Sequence, residues 1–278
     1  AGWPCLDAIE VDLLAAGLIP DPHLDLNESL LTWIGLVDWT YGTTLPMTAA
    51  ELAAAERHEI VFDGLDTVAT VLLNGQVIAE VANQHRTHRL DVTGILTEGD
   101  NLLEVRFRSP VKYANAQSLT YGARPGPYPM PFEAIRKSAC SFGWDWGPAT
   151  FTSGIWRPVH LVSWSGARFD DVLVRADAVG DGGRVEVVAR VASTSDAART
   201  VTVSVAGASA SATVPAGERK VTASVECATV DRWWPTGHGD QPFYDVEVDL
   251  ACDGAVLDRV RRRVGFRTLR WDTTPDAG

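Results

Sequence analysis

A chain of 278 residues carrying a net charge of −12, from 24 Lys and Arg against 36 Asp and Glu, is long enough for two domains and too acidic for a phosphate-backbone surface, which needs clustered cations. No apolar run nears the roughly 20 residues that cross a bilayer, and nothing at the N-terminus has the basic start, apolar stretch and small-residue cleavage site of a secretory leader. Neither nucleic acid nor membrane is expected as a partner. The expected location is the cytoplasm, although a secreted protein whose leader has been removed would read the same way.

Along the chain, strands dominate. Short helices are expected at 11–16 and at 48–57, the second because Thr48 and Glu51 have capping-box spacing before an Ala-rich stretch. Residues 59–63, 67–73 and 76–80 are β-branched runs with partial alternation. Asn74-Gly75 joins the last two with a two-residue hairpin turn, both residues tolerating positive φ. A further strand at 102–108 ends before Pro110, and 109–154 reads as a long irregular loop of the functional kind. After Trp164 the strands become shorter and more regular, at 172–176, 184–191, 200–205, 220–225, 244–250 and 257–264. Turn signals such as Pro215-Ala216-Gly217 and Asp253-Gly254 separate them. Six clear strands where a seven-strand sandwich is usual give an immunoglobulin-like second half. The expected fold is all-β: a jelly-roll sandwich over 1–165, an immunoglobulin-like sandwich over 166–268, and a linker over 269–278. Helix–strand alternation, which a Rossmann fold or an alternating barrel requires, is missing.

Cys5, Cys140, Cys227 and Cys252 are too few and too scattered for a disulfide framework or a zinc site. Cys227 and Cys252 could pair across a sheet, but free buried thiols are expected. His85 and His88 have no Cys or carboxylate to complete a metal site, and a solvated loop is the expected setting. His238 lies in a turn, and no nucleophile elbow supports Ser-His-Asp chemistry. The basic run Arg259, Arg261, Arg262 and Arg263 sits in a strand-like stretch and reads as a solvated face.

One segment carries chemistry: Ser141-Phe142-Gly143-Trp144-Asp145-Trp146-Gly147-Pro148, which follows the proline-rich Arg124-Pro125-Gly126-Pro127-Tyr128-Pro129. A carboxylate accepts hydrogen bonds from adjacent sugar hydroxyls while indole faces wall the ring. Composition alone leaves two readings open here, a sugar site and a Trp-rich plug for the core.

This segment, with Arg136-Lys137 and Cys140 before it, resembles a signature of the β-mannosidases of glycoside hydrolase family 2. Other stretches agree in order. Asp21-Pro22, Asn27-Glu28, Trp33 and Asp38-Trp39-Thr40-Tyr41 are similar to the family's first landmarks. Phe62-Asp63-Gly64-Leu65-Asp66-Thr67-Val68-Ala69 with Leu73-Asn74-Gly75 is similar to its central hairpin, and Ser153-Gly154-Ile155-Trp156-Arg157-Pro158-Val159 to the end of its first domain. Trp233-Trp234-Pro235, Tyr244 and Val264-Gly265-Phe266-Arg267 are similar to landmarks of its second. The resemblance departs from the family at the start, where Pro4-Cys5-Leu6 replaces a Val-Pro-Gly-type segment, and at Ala139, where Gln is common.

The resemblance implies a retaining enzyme that removes terminal, non-reducing β-D-mannose with two glutamates on a (β/α)₈ barrel, without metal or organic cofactor. It implies that Trp144, Asp145 and Trp146 bind the substrate, a mannoside or manno-oligosaccharide, over the mouth of that barrel. The chain stops at Gly278, just past the position where the family's barrel would begin, so neither catalytic glutamate is expected within it and the barrel is a missing partner. The alternatives are a free-standing sugar-binding module and purely structural accessory domains.

Overall fold

The computed structural model describes residues 2–3, 8–122, 124–125 and 130–275. The chain divides into two compact units, Ala1–Ser163 and Trp164–Gly278.

The first unit is built from β1 (Gly2–Trp3), β2 (Trp39–Met47), β3 (Arg57–Phe62), β4 (Val68–Leu73), β5 (Gln76–Ala82), β6 (His88–Asp91), β7 (Gly99–Phe107) and β8 (Val159–Trp164). They form two four-stranded sheets, in the orders β1-β8-β3-β6 and β2-β7-β4-β5. β7 shows how the pattern works. Leu103, Val105 and Phe107 are buried while Leu102, Glu104 and Arg106 are not, the period-two alternation of a strand with one face on the core. Opposite it, Ile60 and Phe62 of β3 enter the same cluster, with Leu45, Val71, Leu73 and Val92. The β4–β5 hairpin turns at Asn74 (φ 52°) and Gly75 (φ 79°). The Asn74 side chain ties this turn to β7 by accepting from the Leu102 N–H at 2.9 Å and donating to Asn101 Oδ1 at 2.8 Å.

Among the described residues, four α-helices decorate this sandwich: α1 (Ile9–Ala15), α2 (Asn27–Leu31), α3 (Ala49–Ala53) and α4 (Pro110–Tyr121). α1 answers the helix expected at 11–16. α3 has the full capping box between Thr48 and Glu51, but it stops at Ala53 because Arg57 already belongs to β3. α4 corrects the reading of 109–154 as irregular throughout. Ser109 Oγ accepts from the Lys112 N–H at 3.1 Å and Pro110 opens the helix, a start signal present in the sequence. Val111 and Ala114 are its buried contacts with a small second core that also holds Val68, Ile135, Phe142 and Phe151.

The second unit holds seven strands: β9 (Ala167–Val179), β10 (Gly182–Ser193), β11 (Arg199–Val205), β12 (Ala208–Val214), β13 (Lys220–Cys227), β14 (Tyr244–Cys252) and β15 (Ala255–Val264). The sheets run β13-β10-β9 and β12-β11-β14-β15, and between them Val185, Val187, Val201, Val203, Val246, Val248 and Leu250 form the core. β12 is the strand the sequence did not reveal, since Ala208-Ser209-Ala210-Ser211-Ala212 alternates without the β-branched residues that mark strands. The landmarks Trp233, Tyr244 and Phe266 converge here. The Trp233 backbone N–H donates to Phe266 O at 2.9 Å, and the Tyr244 and Phe266 rings meet edge to face at 5.2 Å.

The arginine run lies on β15 as a solvated ladder. Arg259 pairs with Asp249, its register partner on β14, through two bonds of 2.6 and 2.8 Å, and Arg261 pairs with Glu247 at 2.8 Å. Cross-strand pairs of opposite sign are the sheet's counterpart of helical i,i+4 pairs.

The described cysteines are free, but they are not all buried as expected. Cys227 is buried, Cys252 half-buried and Cys140 exposed; Cys5 lies outside the described residues. Burial also pushes the Cys227 thiol up from its ordinary pKa, which withholds the reactive thiolate. In a Cys5→Ser background, Cys140 should therefore label first with a chromogenic disulfide reagent and Cys227 only on unfolding. Equal labelling rates for the two in the native protein would contradict this placement.

Candidate functional site

The Trp-Asp-Trp segment leaves and re-enters the first unit between Lys137 and Thr152. A one-turn 3-10 helix at Ala139–Phe142 leads to Gly143, whose φ of 91° is a left-handed conformation that favours glycine. Residues 144–147 then close a tight turn. The Trp144 N–H donates to Gly147 O at 3.0 Å, and the Gly147 N–H donates back to Trp144 O at 3.4 Å. Asp145 and Trp146 are the two residues at its tip. The chain returns through Phe151, whose N–H donates to Ser141 O at 2.8 Å and whose ring meets Phe142 edge to face at 5.7 Å.

This geometry separates the two roles that composition could not. Phe142 and Phe151 are the plug, at 5% and 6% exposure, whereas Trp144 is 40% and Trp146 79% exposed. Asp145 is exposed, and among the described residues its carboxylate has neither a hydrogen bond nor an ion pair. All three sequence-predicted site residues therefore stand on one outward turn, with two indoles beside a carboxylate whose acceptors are open to a ligand. Of the proline-rich stretch before the segment, 126–129 lies outside the described residues.

Next to the turn is a polar cluster whose members lie far apart in the sequence. Asp66, between β3 and β4, is 2% exposed and pairs with the wholly buried Lys137 ammonium. Lys137 Nζ also donates to Thr152 O at 2.8 Å and Thr152 Oγ1 at 2.7 Å, and the Thr152 hydroxyl donates to Asp66 Oδ2 at 2.7 Å. Thr67 Oγ1 donates to the other Asp66 oxygen. Burial pulls the Lys137 pKa down while the Asp66 charge beside it holds it up. Removing either partner alone would leave a charge in the interior, a loss of about 3–5 kcal/mol.

Glu10, on α1, is a second buried carboxyl, and among the described residues no other residue hydrogen-bonds to its oxygens. Burial raises its pKa from 4.5 to about 7, against the pull of its own backbone N–H and of Lys137 and with a push from Asp66. The segment after the loop is tied to the same region. Ile9 N–H donates to Ser153 O at 2.7 Å, and Asp66 and Gly154 exchange N–H···O bonds of 2.9 Å in both directions. Trp156 packs so closely on Gly64 that a Cβ there would lie 2.5 Å from the indole nitrogen, so two landmarks distant in sequence are one contact in space. No cluster of three or more His, Cys, Asp or Glu that could hold a metal occurs among the described residues.

Comparison with known proteins agrees with this architecture. The family described as "Glycosyl hydrolase 2 galactose-binding domain-like" matches residues 7–157, and "Glycosyl hydrolases family 2" matches 167–267. Among curated relatives, the β-mannosidase of Rattus norvegicus is 32% identical over 284 residues, covering 94% of this chain and 32% of the relative. β-Mannosidase B of Thermothelomyces thermophilus is 34% identical over 274 residues, covering 93% and 31%. The chain thus spans about a third of the length of these relatives.

Among solved structures, the β-D-mannosidase of Dictyoglomus thermophilum superposes with a TM-score of 0.86 at 29% identity, over 93% of this chain and 33% of that one. The exo-chitosanase of Amycolatopsis orientalis, at 22% identity and a TM-score of 0.72 over 98% of this chain and 30% of that one, shares the fold. With two β-sandwiches, each matched by its own family profile, this chain belongs to glycosyl hydrolase family 2, as its galactose-binding-like and immunoglobulin-like N-terminal domains.

Proposed function

We propose that these domains are the N-terminal part of a retaining β-mannosidase that releases terminal, non-reducing β-D-mannose, and that the Trp144-Asp145-Trp146 turn contacts the sugar. The observation that carries the reading is the outward turn itself, where two exposed indoles flank a carboxylate that has no partner among the described residues; the β-mannosidase relatives support the choice of sugar. In this reading the nucleophile and the acid/base are glutamates of a barrel outside these 278 residues, residues 269–278 are linker sequence, and the boundary between the first two domains falls near residue 165.

Without the barrel, half of the pocket is missing and each bound hydroxyl stays open to competing water. The 278-residue chain should therefore bind mannose no more tightly than about millimolar and should not turn over an aryl β-mannoside, lacking both nucleophile and proton donor. The barrel-bearing protein should hydrolyse that substrate in preference to the aryl β-galactoside and β-glucuronide. Turnover by the chain alone that vanished on replacing Asp145 or Glu28 would relocate the catalytic machinery, and a preference of the longer protein for another glycoside would reject mannose as the substrate.

A further inference from the structure

The buried polar cluster joins the two ends of the segment that bears the turn. Lys137 precedes it, Thr152 follows it, and both bind the same oxygen of Asp66. Asp66 is itself held at the backbone by its paired bonds to Gly154 and at its other carboxylate oxygen by Thr67. The contact therefore fixes a point on the sandwich, and both ends of the segment are tied to it.

We propose that Asp66, Lys137 and Thr152 are positioning residues that set where the Trp144-Asp145-Trp146 turn presents its carboxylate. This role rests on the sugar-contact reading for its catalytic consequence, though not for its structural one. An apolar plug already exists in Phe142 and Phe151, so the fold does not need charge at this place to exclude water. What a buried ion pair bridged by a hydroxyl adds is direction: four bonds converge from two chain ends on one carboxylate oxygen and one ammonium. A slack base would let Asp145 sample positions an ångström or more apart, and a contact group that must be ordered on binding loses part of its effect to that ordering.

Two variants separate position from stability. Asp66→Asn combined with Lys137→Met removes both charges, so that no orphan ion is buried. Thr152→Val keeps the ion pair and removes only the bridging hydroxyl. In the 278-residue chain, hydrogen exchange at the Trp144, Gly147 and Phe151 amides should become about tenfold faster or more in both variants, while amides of β4 and β7 keep their wild-type rates.

In the barrel-bearing enzyme, kcat/KM on an aryl β-mannoside should fall about tenfold in each. Adding Asp145→Ala should then cost less than it does in the wild-type background, because the residues act through that carboxylate. Unchanged exchange in the turn would overturn the proposal, as would a loss of activity strictly additive with Asp145→Ala. If Asp145→Ala alone leaves the kinetics untouched, the sugar-contact reading fails, and the exchange measurement still decides whether the cluster positions the turn. Should the double variant not fold, Thr152→Val carries both measurements.

Discussion

Asp145→Ala in the barrel-bearing enzyme should lower kcat/KM for an aryl β-mannoside by about 10- to 100-fold and leave the melting temperature nearly where it was. The magnitude follows from the group lost. A hydrogen bond between a hydroxyl and an ionised carboxylate contributes about 1.5–3 kcal/mol, and each 1.4 kcal/mol is about tenfold in rate. The effect belongs in kcat as well as in kcat/KM if the contact strengthens as the sugar distorts toward the oxocarbenium-like transition state.

Stability should hardly respond, because the carboxylate is exposed and unpartnered among the described residues. The turn is closed by backbone bonds between Trp144 and Gly147, which the substitution does not touch. Kinetics and a melting curve on the same variant decide the matter. Unchanged kcat/KM with a large fall in melting temperature would make Asp145 a structural residue.

The second large effect concerns Glu10. Its folded-state pKa is raised from 4.5 to about 7 because burial penalises the carboxylate, so the native state holds this proton more tightly than the unfolded chain does. The resulting stability is fully present below about pH 4.5, declines as the pH rises toward 7, and is lost above it. At about 1.4 kcal/mol per unit of pKa, the cost above neutrality is on the order of 3 kcal/mol.

Glu10→Gln keeps the shape and removes the titration. The variant should therefore differ little from wild type in its pH dependence below pH 4.5 and become progressively more stable than wild type toward pH 8. A difference of several degrees in melting temperature is expected there. Asp66 and Lys137, which face Glu10 electrostatically, are present in both proteins, so the comparison isolates the one carboxyl. Parallel stability curves from pH 4 to pH 8 would show that Glu10 does not hold its proton in the folded state.

Several features of this fold follow from short-range chemistry alone. Asn74-Gly75 specified a hairpin because positive φ at two successive residues is a local property. Thr48 and Glu51 specified a helix start because both halves of the cap lie within one turn. The alternating valines of β10, β11 and β14 announced a sandwich core, and the concentration of indoles and a carboxylate in 144–146 marked the candidate site before its shape was known. Where a local signal was faint or overridden, the reading missed. β12 is built from Ala and Ser, whose small side chains complete the sheet without signalling it. α4 hid in what read as a loop, its Ser109-Pro110 start unaccompanied by a strong apolar stripe.

Which aromatics are buried depends instead on long-range packing. Phe142 and Phe151 fill the interior while Trp144 and Trp146 stay out, a distinction set by the Gly143 turn and by the packing partners Val68, Val111 and Ile135 from elsewhere in the chain. Long-range packing also joined Asp66 to Lys137 across 71 residues and buried Glu10 beside them. Long-range pairing of charges leaves no periodicity or spacing along a chain, because its energy depends on dielectric and distance, and both come into being only when the sandwich closes.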